Sequence, residues 1–437
     1  MFFENITLID ETMQVREHMY LGTIDDRISY LSDVPPADPS LYGEEYGACS
    51  GKLFIPGFFN AHSHAAMHLL RGYGENLTLH DWLNQRIFPF EAHLTADDIY
   101  WATQLGAAEM LRFGIVGTTD MYSMGEAMGR AFADSGIKAN FSVGTTCFDD
   151  RTFQQMPQYA ETLKLKELFH GYDNGRLQVD FSLHAEYTSS ERIASGIAEA
   201  AAEAGLGMHC HVSETAFEVA GCRERHQGKS PVKYLADLGV FDVPTTAAHC
   251  VHIDEEDIAI LADKKVTVAS CPKSNMKLAS GFCPVGKLLQ SGANVALGTD
   301  SVASNNNLNM LEEIKTFALI HKGVSGDPTL ITPAEALYAA TRAGAVAQGR
   351  QDCGYLKEGY KADIVALNID TIYMRPSHNQ LNNLVYASCG SDIVMTMVDG
   401  RVLYDRGSFQ HLDIEKLLYE TEHSCQRILR ELQSVQS

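Results

Sequence analysis

From Leu53 onward the chain repeats one pattern: a short run of β-branched, aromatic and small apolar residues, then a longer stretch in which apolar residues recur with helical spacing. The runs are LFIPGFFNAH, GIVGTTDM, ANFSVGTT, LQVDFSLHA, GLGMHCHVSE, TTAAHCVHI, KVTVASCPKS and NVALGTDS, eight in all. Asp97 to Arg112 and Glu191 to Ala204 are two of the helical stretches between them. Eight strand and helix units of this size predict a (β/α)8 TIM barrel of the α/β class, although the same alternation suits an open doubly wound sheet. The polar residues separate the two. His62, His64, His184, His209, His211, His249 and Asp300 fall at the C-terminal ends of different strands, the rim on which barrel enzymes assemble their sites. An open sheet does not gather so many strand ends around one point.

The segments outside this pattern, 1–52 and 355–410, read as short strands and turns. YKADIVALNID and IVMTMVDGRVLYDRG alternate apolar and polar residues, and Asp399-Gly400 is a hairpin turn signal. Neither segment has enough apolar residues for its own core. The expectation is one small β-sandwich assembled from both chain ends, beside a barrel of residues 53–354. Within 411–437, Asp413 to Gln436 reads as an amphipathic helix whose charges form a solvated face. There is no internal repeat, no low-complexity segment and no glycine-rich phosphate loop, so nucleoside triphosphates and dinucleotides find no support.

Composition narrows the partners. The chain has 437 residues, 34 Lys plus Arg against 56 Asp plus Glu, and a formal charge of -22, which repels nucleic acid phosphates and anionic lipid heads. No uncharged apolar run approaches the roughly 18 residues that a membrane span needs. The ten Cys stand mostly singly in apolar runs without framework spacing, and no leader-like segment precedes them, so they read as reduced thiols of a cytoplasmic protein. The expected partner is a small molecule, with no nucleic acid and no membrane; a homo-oligomer is compatible with the sequence.

His62 and His64 are separated by one residue at a strand end and so point to the same side, where both imidazoles reach one ion. Such a pair is weak by itself. His211, His249 and Asp300 at three further strand ends strengthen it, and nitrogen and oxygen donors in this mix suit zinc or another first-row divalent ion. A closed structural zinc site more often uses Cys, so the donor set points to catalysis. His249 is either a further ligand or a group that acts on the reacting oxygen. Glu214, three residues beyond His211, is either an exposed loop carboxylate or a group that turns back to the site. His209 is out of phase and His252 lies past its strand, and both are expected to pack behind the donors.

PGFFNAHSHAAMHLLRG, HVSET, AAHCVH, SNMKLASGFCPV and GTDSVASNNNLNM together resemble the motifs of the amidohydrolase superfamily. Within it, the likeness is to the branch of S-adenosylhomocysteine, 5'-methylthioadenosine and 5'-deoxyadenosine deaminases and their s-triazine hydrolase relatives, and it covers nearly the whole chain. The resemblance implies one divalent metal, zinc with iron or manganese as alternatives, held by His62, His64, His211 and Asp300. It makes Glu214 and His249 the catalytic pair, with Asp300 as proton carrier. The fourth strand ends in His184 and has no Lys there, which argues against the bridged two-metal site of other superfamily members. In the resembling deaminases this His contacts the substrate.

Trp82 and Glu91, in LTLHDWLNQRIFPFEAHLT, match a loop that packs on the substrate and binds ribose hydroxyls there; the plain alternative is a core Trp and a surface Glu. Ser304 follows Asp300 closely enough to reach the ring. Val143 and Tyr159 occupy the places where arginines are expected for a homocysteine tail, with Arg151 as a substitute, so the expected substrates lean to adenosine, 5'-deoxyadenosine or 5'-methylthioadenosine. Two other readings compete: an aminohydrolase or chlorohydrolase of a free base, pterin or triazine, and a non-catalytic scaffold barrel.

Overall fold

The computed structural model describes residues 1–47 and 49–436. The chain divides into two compact units, 1–60 with 109–117 and 309–411, and 61–108 with 118–308 and 412–437.

Eight parallel strands follow one another in chain order around the barrel: β1 (Phe58–Ser63), β2 (Ile115–Tyr122), β3 (Lys138–Thr145), β4 (Phe181–Leu183), β5 (Met208–Val212), β6 (Thr245–His249), β7 (Thr267–Ser270) and β8 (Asn294–Leu297). All eight expected runs form strands. Closure comes from Asp300, whose N–H donates to the His62 carbonyl at 2.9 Å, with a parallel bridge between Ser63 and Asp300. The strands are buried almost throughout, as required of a parallel sheet covered on its outer face. The fourth run breaks at Asp180: Leu177–Val179 pairs with the start of β3, and β4 resumes at Phe181 to pair with the end of β3 and with β5.

The two expected helices span Ala96–Arg112 and Glu191–Ala204. The second ends where Gly205 turns to φ 64°, a left-handed cap that glycine adopts without strain. The 79–91 segment, expected as a loop, is helical, with a π-helical turn at Leu83–Ile87 between Leu79–Trp82 and Phe88–Glu91. The terminal helix Ile414–Gln436 does more than carry a solvated charged face. Leu417 and Ile428 are buried, Arg427 pairs with Asp98, and His93 Nδ1 lies 2.9 Å from Glu431.

In the other unit both chain ends build one eight-stranded sheet, ordered Ser408–Phe409, Arg401–Asp405, Ile393–Val398, Ile364–Asn368, Lys52–Pro56, Phe2–Ile9, Val15–Ile24, Arg27–Ser32. The ends join where Ile364–Asn368 runs antiparallel to Lys52–Pro56. Ile28, on the edge strand, exchanges backbone bonds with Gly359 and Tyr360, so the sheet folds back on itself around a core that includes Phe3, Leu21, Phe54, Ile364 and Met395. The expected hairpin turn is present: Asp399 and Gly400 have φ of 47° and 74°, and a Cβ on Gly400 would lie 2.0 Å from the Asp25 carbonyl oxygen.

Candidate active site

At the C-terminal rim of the barrel β1, β5, β6 and the turn after β8 bring His62, His64, His211, His249 and Asp300 together. The His62 ring lies 4.8 Å from that of His64, 4.9 Å from His211 and 5.1 Å from His249. Asp300 Oδ1 is 3.5 Å from His62 Nε2 and 3.4 Å from His64 Nε2. In two overlapping sets, His62 with His211 and His249 and His62 with His64 and Asp300, one donor atom from each residue lies within 4.8 Å of the others.

Hydrogen bonds decide which imidazole atoms are available. His64 Nδ1 faces the Met121 carbonyl at 2.5 Å and His211 Nδ1 the His184 carbonyl at 2.7 Å. A carbonyl only accepts, so both Nδ1 atoms carry hydrogen, and each neutral ring presents its lone pair on Nε2. Those two Nε2 atoms stand 3.3 Å apart. Two lone pairs facing each other beside a carboxylate repel unless a cation lies between them, and this donor set fits one divalent ion. Burial supports neutrality: it lowers His62 to about 3 and drives His211 and His209 well below the ordinary imidazole value. Burial also pushes the Asp300 carboxyl up, but His62, His64 and His249 outweigh it and hold Asp300 well below the usual carboxylate range.

Backbone strain marks the same residues. His249 and Asp300 have φ of 73° and 57°, a left-handed region that costs non-glycine residues about 1–3 kcal/mol and persists where the surroundings over-determine it. Asp300 is fixed by the hydroxyls of Ser274 at 2.6 Å and Ser304 at 2.9 Å, both on Oδ2, and by the Ser301 N–H at 2.8 Å on Oδ1.

Glu214 turns inward and is buried, with Oε2 3.8 Å from His249 Nε2 and Oε1 accepting from the Ser280 hydroxyl at 3.3 Å. Burial raises its pKa. Burial works to lower that of His249, but the carboxylates of Glu214 and Asp300 outweigh it and leave His249 raised. Asn275 Oδ1 lies 2.9 Å from His249 Nδ1 and fixes the ring from behind. The peptide around Glu214 is held by Glu218, whose carboxylate accepts from the N–H groups of Ser213 at 2.9 Å and Glu214 at 2.7 Å.

The cavity over these residues has a volume of about 390 Å³. Trp82, Glu91, His184 and Ser304 all line it, and Trp82 is at the same time buried in the core. Trp82 Nε1 is buried and has no hydrogen-bond partner among the described residues. Burial raises the Glu91 carboxyl, opposed by the Tyr122 phenol, which donates to its Oε1 at 2.6 Å. Burial lowers His184 to about 4. No Lys or Arg is among the described residues lining the cavity. Arg151 lies outside it, closed on Asp149 through contacts of 2.9 and 3.0 Å.

Of the two residues expected behind the donors, His209 meets one of them, while the partner of His252 is a backbone carbonyl. His209 Nε2 is 2.8 Å from His62 Nδ1, and His252 Nε2 meets the Ser280 carbonyl at 2.6 Å. Sequence reasoning does not reach the partners Ser274, Asn275, Ser280, Glu218 and Tyr122. Ser274, Asn275 and Ser280 cluster in or beside the SNMKLASGF stretch, whose density of small polar residues between two strands is the available signal.

A parallel barrel with convergent imidazoles and carboxylates on its rim defines a metal-dependent hydrolase site. The chain belongs to the amidohydrolase family, whose model matches residues 53–403. It is 41% identical over 382 residues, 87% of this chain and 88% of the relative, to the 5-methylthioadenosine/S-adenosylhomocysteine deaminase of Dictyoglomus thermophilum. It is 37% identical to the protein of the same name from Thermoanaerobacter pseudethanolicus, over 98% of this chain and 99% of that one. A zinc-bound adenosine deaminase from Xanthomonas campestris superposes with a TM-score of 0.91 at 28% identity, covering 98% of both chains. A zinc-complexed atrazine chlorohydrolase from Arthrobacter aurescens, at 20% identity and a TM-score of 0.89 over 97% of this chain and 99% of that one, shares the fold.

Proposed function

We propose that this chain hydrolyses the exocyclic amino group of adenine nucleosides, releasing ammonia and the inosine analogue, with one zinc ion held by His62, His64, His211 and Asp300. The observation that carries this reading is the pair of Nε2 lone pairs 3.3 Å apart beside the Asp300 carboxylate, under a cavity lined by Glu214, Glu91 and Trp82. A divalent ion at such donors supplies hydroxide at neutral pH by lowering the pKa of water from 15.7 to about 7.

The side chains move the protons. Glu214, buried and with a raised pKa, holds a proton to donate to the ring nitrogen beside the carbon under attack. Asp300 accepts the proton of the nucleophilic water and returns it to the departing amine, while Ser274 and Ser304 keep its carboxylate in place. His249, held by Asn275 and with its pKa raised against the effect of burial, donates to the oxygen that gains charge. His184 and Ser304 face the purine, Trp82 covers the sugar, and Glu91 accepts from the ribose hydroxyls with the oxygen that Tyr122 leaves open.

A 5' tail carrying a carboxylate finds no basic residue among those lining the cavity, and an unpaired charge brought out of water costs several kcal/mol. Adenosine, 5'-deoxyadenosine and 5'-methylthioadenosine are therefore the favoured substrates over S-adenosylhomocysteine. All ten cysteines are free thiols, which suits a reducing cytoplasm, and no described helix is long and apolar enough to cross a membrane. The test is kcat/KM for these four nucleosides and adenine with the zinc-loaded protein. A clear preference for the homocysteine-tailed compound overturns the specificity, and inactivity on every nucleoside overturns the function.

A further inference from the structure

Resting on the ligand set proposed above, we infer that Asp120 is a positioning residue for the metal, clamping the residues on both sides of His64 and supplying a second buried negative charge. Asp120 lies near the end of β2 and is fully buried. Its Oδ2 accepts from the Ser63 hydroxyl at 2.6 Å and from the Ala65 N–H at 2.7 Å, the residues immediately before and after His64. The next residue, Met121, accepts from His64 Nδ1 through its carbonyl at 2.5 Å. Two consecutive residues of β2 thus grip three consecutive residues of the histidine motif. The grip holds His64 at φ -136° and ψ 75°, the conformation in which its Nε2 faces those of its neighbours.

The charge argument is independent of the clamp. Asp120 Oδ1 has no hydrogen-bond partner among the described residues; burial raises this carboxyl to about 6, and what opposes that rise comes from the imidazoles of His64 and His68 and the bonds from Ser63 and Ala65, with no Lys or Arg among them. A half-satisfied buried carboxylate is destabilising for the protein alone. The proposed donors are three neutral imidazoles and one carboxylate, a single negative charge against two positive ones. Asp120 provides the second, close enough to act through the low-dielectric barrel interior and screened from solvent. Carboxylates behind metal-binding residues tune affinity in this way, and losing one costs about 10–100-fold in binding.

The test compares Asp120→Asn with wild type in the full chain, measuring zinc affinity by competition with a chromophoric chelator and Tm with and without zinc. The expected result is a zinc affinity lower by about 10–100-fold, with the Tm of the zinc-free variant unchanged or higher, because a neutral amide replaces an unbalanced charge. Ser63→Ala, which removes one clamp bond together with the hydroxyl contacts to Thr118 and Thr119 and keeps the charge, is expected to lose zinc affinity by less than about 10-fold. Zinc affinity within threefold of wild type in Asp120→Asn overturns the inference, as does an equal fall in Tm with and without zinc, the mark of a purely structural role. Should Asp120→Asn not fold, unchanged zinc affinity in Ser63→Ala overturns it and a loss supports it. A wild-type chain that binds no zinc refutes the ligand set instead, so the two failures are distinguishable.

Discussion

Replacing Glu214 with Gln separates proton transfer from everything else this side chain does. The carboxylate is 7% exposed, and burial raises its pKa, which suits a group that must hold a proton in near-neutral solution. Gln fills the same volume, and its amide oxygen can still accept the 3.3 Å bond from Ser280. It can neither deliver the proton to the ring nitrogen nor take it back. Removing a positioned acid-base group lowers the rate by about 10²–10⁴-fold, and at 1.36 kcal/mol per decade this corresponds to about 2.7–5.4 kcal/mol on the barrier. Metal content should not change, since Glu214 lies outside both clusters of donor atoms and stands 3.8 Å from His249 Nε2. The assay is kcat for adenosine, followed by the absorbance change on conversion to inosine, beside elemental analysis of the same preparation. KM should stay within a few-fold because the purine and ribose contacts remain. Full metal occupancy with kcat within a few-fold of wild type would refute the reasoning, leaving Glu214 an ordinary buried carboxylate and the proton with another carrier.

Three further outcomes follow from the same geometry. His211→Ala removes one of the two facing Nε2 atoms and is expected to leave the purified protein with far less than one metal per chain and no measurable turnover; undiminished metal and activity would rule out the ligand set. Glu91→Ala should raise KM for adenosine by about 10-fold or more while leaving any turnover of adenine unchanged, since only the nucleoside loses bonds to the ribose hydroxyls; equal effects on both compounds would contradict that role. His321 is buried edge-on to Phe317, and burial lowers its pKa from 6.5 to about 4. The unfolded chain therefore takes up this proton first, so the contribution is intact above pH 6.5 and is lost as pH falls toward 4. His321→Phe should flatten that part of the profile by about 3 kcal/mol in denaturant titrations, and parallel profiles would show that burial of this ring is not the cause.

What can be read from the sequence follows a physical division. Strand periodicity and strand ends are local properties, so the eight strands and the rim positions of His62, His64, His211, His249 and Asp300 are open to inference. The hairpin at Asp399-Gly400 is readable for the same reason, since its turn chemistry is contained in two residues. The contacts that orient the site are not local. Asn275 reaches His249 from the helix after β7, and Tyr122 reaches Glu91 from β2; neither pairing leaves a period in the chain. Asp120 looks like any polar residue at a strand end until the Ser63 hydroxyl and Ala65 N–H are seen to converge on it. The 79–91 segment is expected as a loop only from the resemblance, whereas it forms a helix interrupted by a π-helical turn at Leu83–Ile87. Strain at His249 and Asp300 is likewise invisible in sequence, because non-glycine residues enter left-handed backbone only when the fold compels them.

Hydrolytic deamination is the central claim, and isotope transfer tests it directly. Zinc-loaded protein is incubated with 5'-methylthioadenosine in water labelled with heavy oxygen, and the product is examined by mass spectrometry beside a count of ammonia released. The account predicts the 5'-methylthioinosine product with one labelled oxygen on the purine carbon that carried the amine, and one ammonia for each nucleoside consumed. Release of free adenine, or an untouched nucleoside in the presence of a fully loaded metal site, would contradict it.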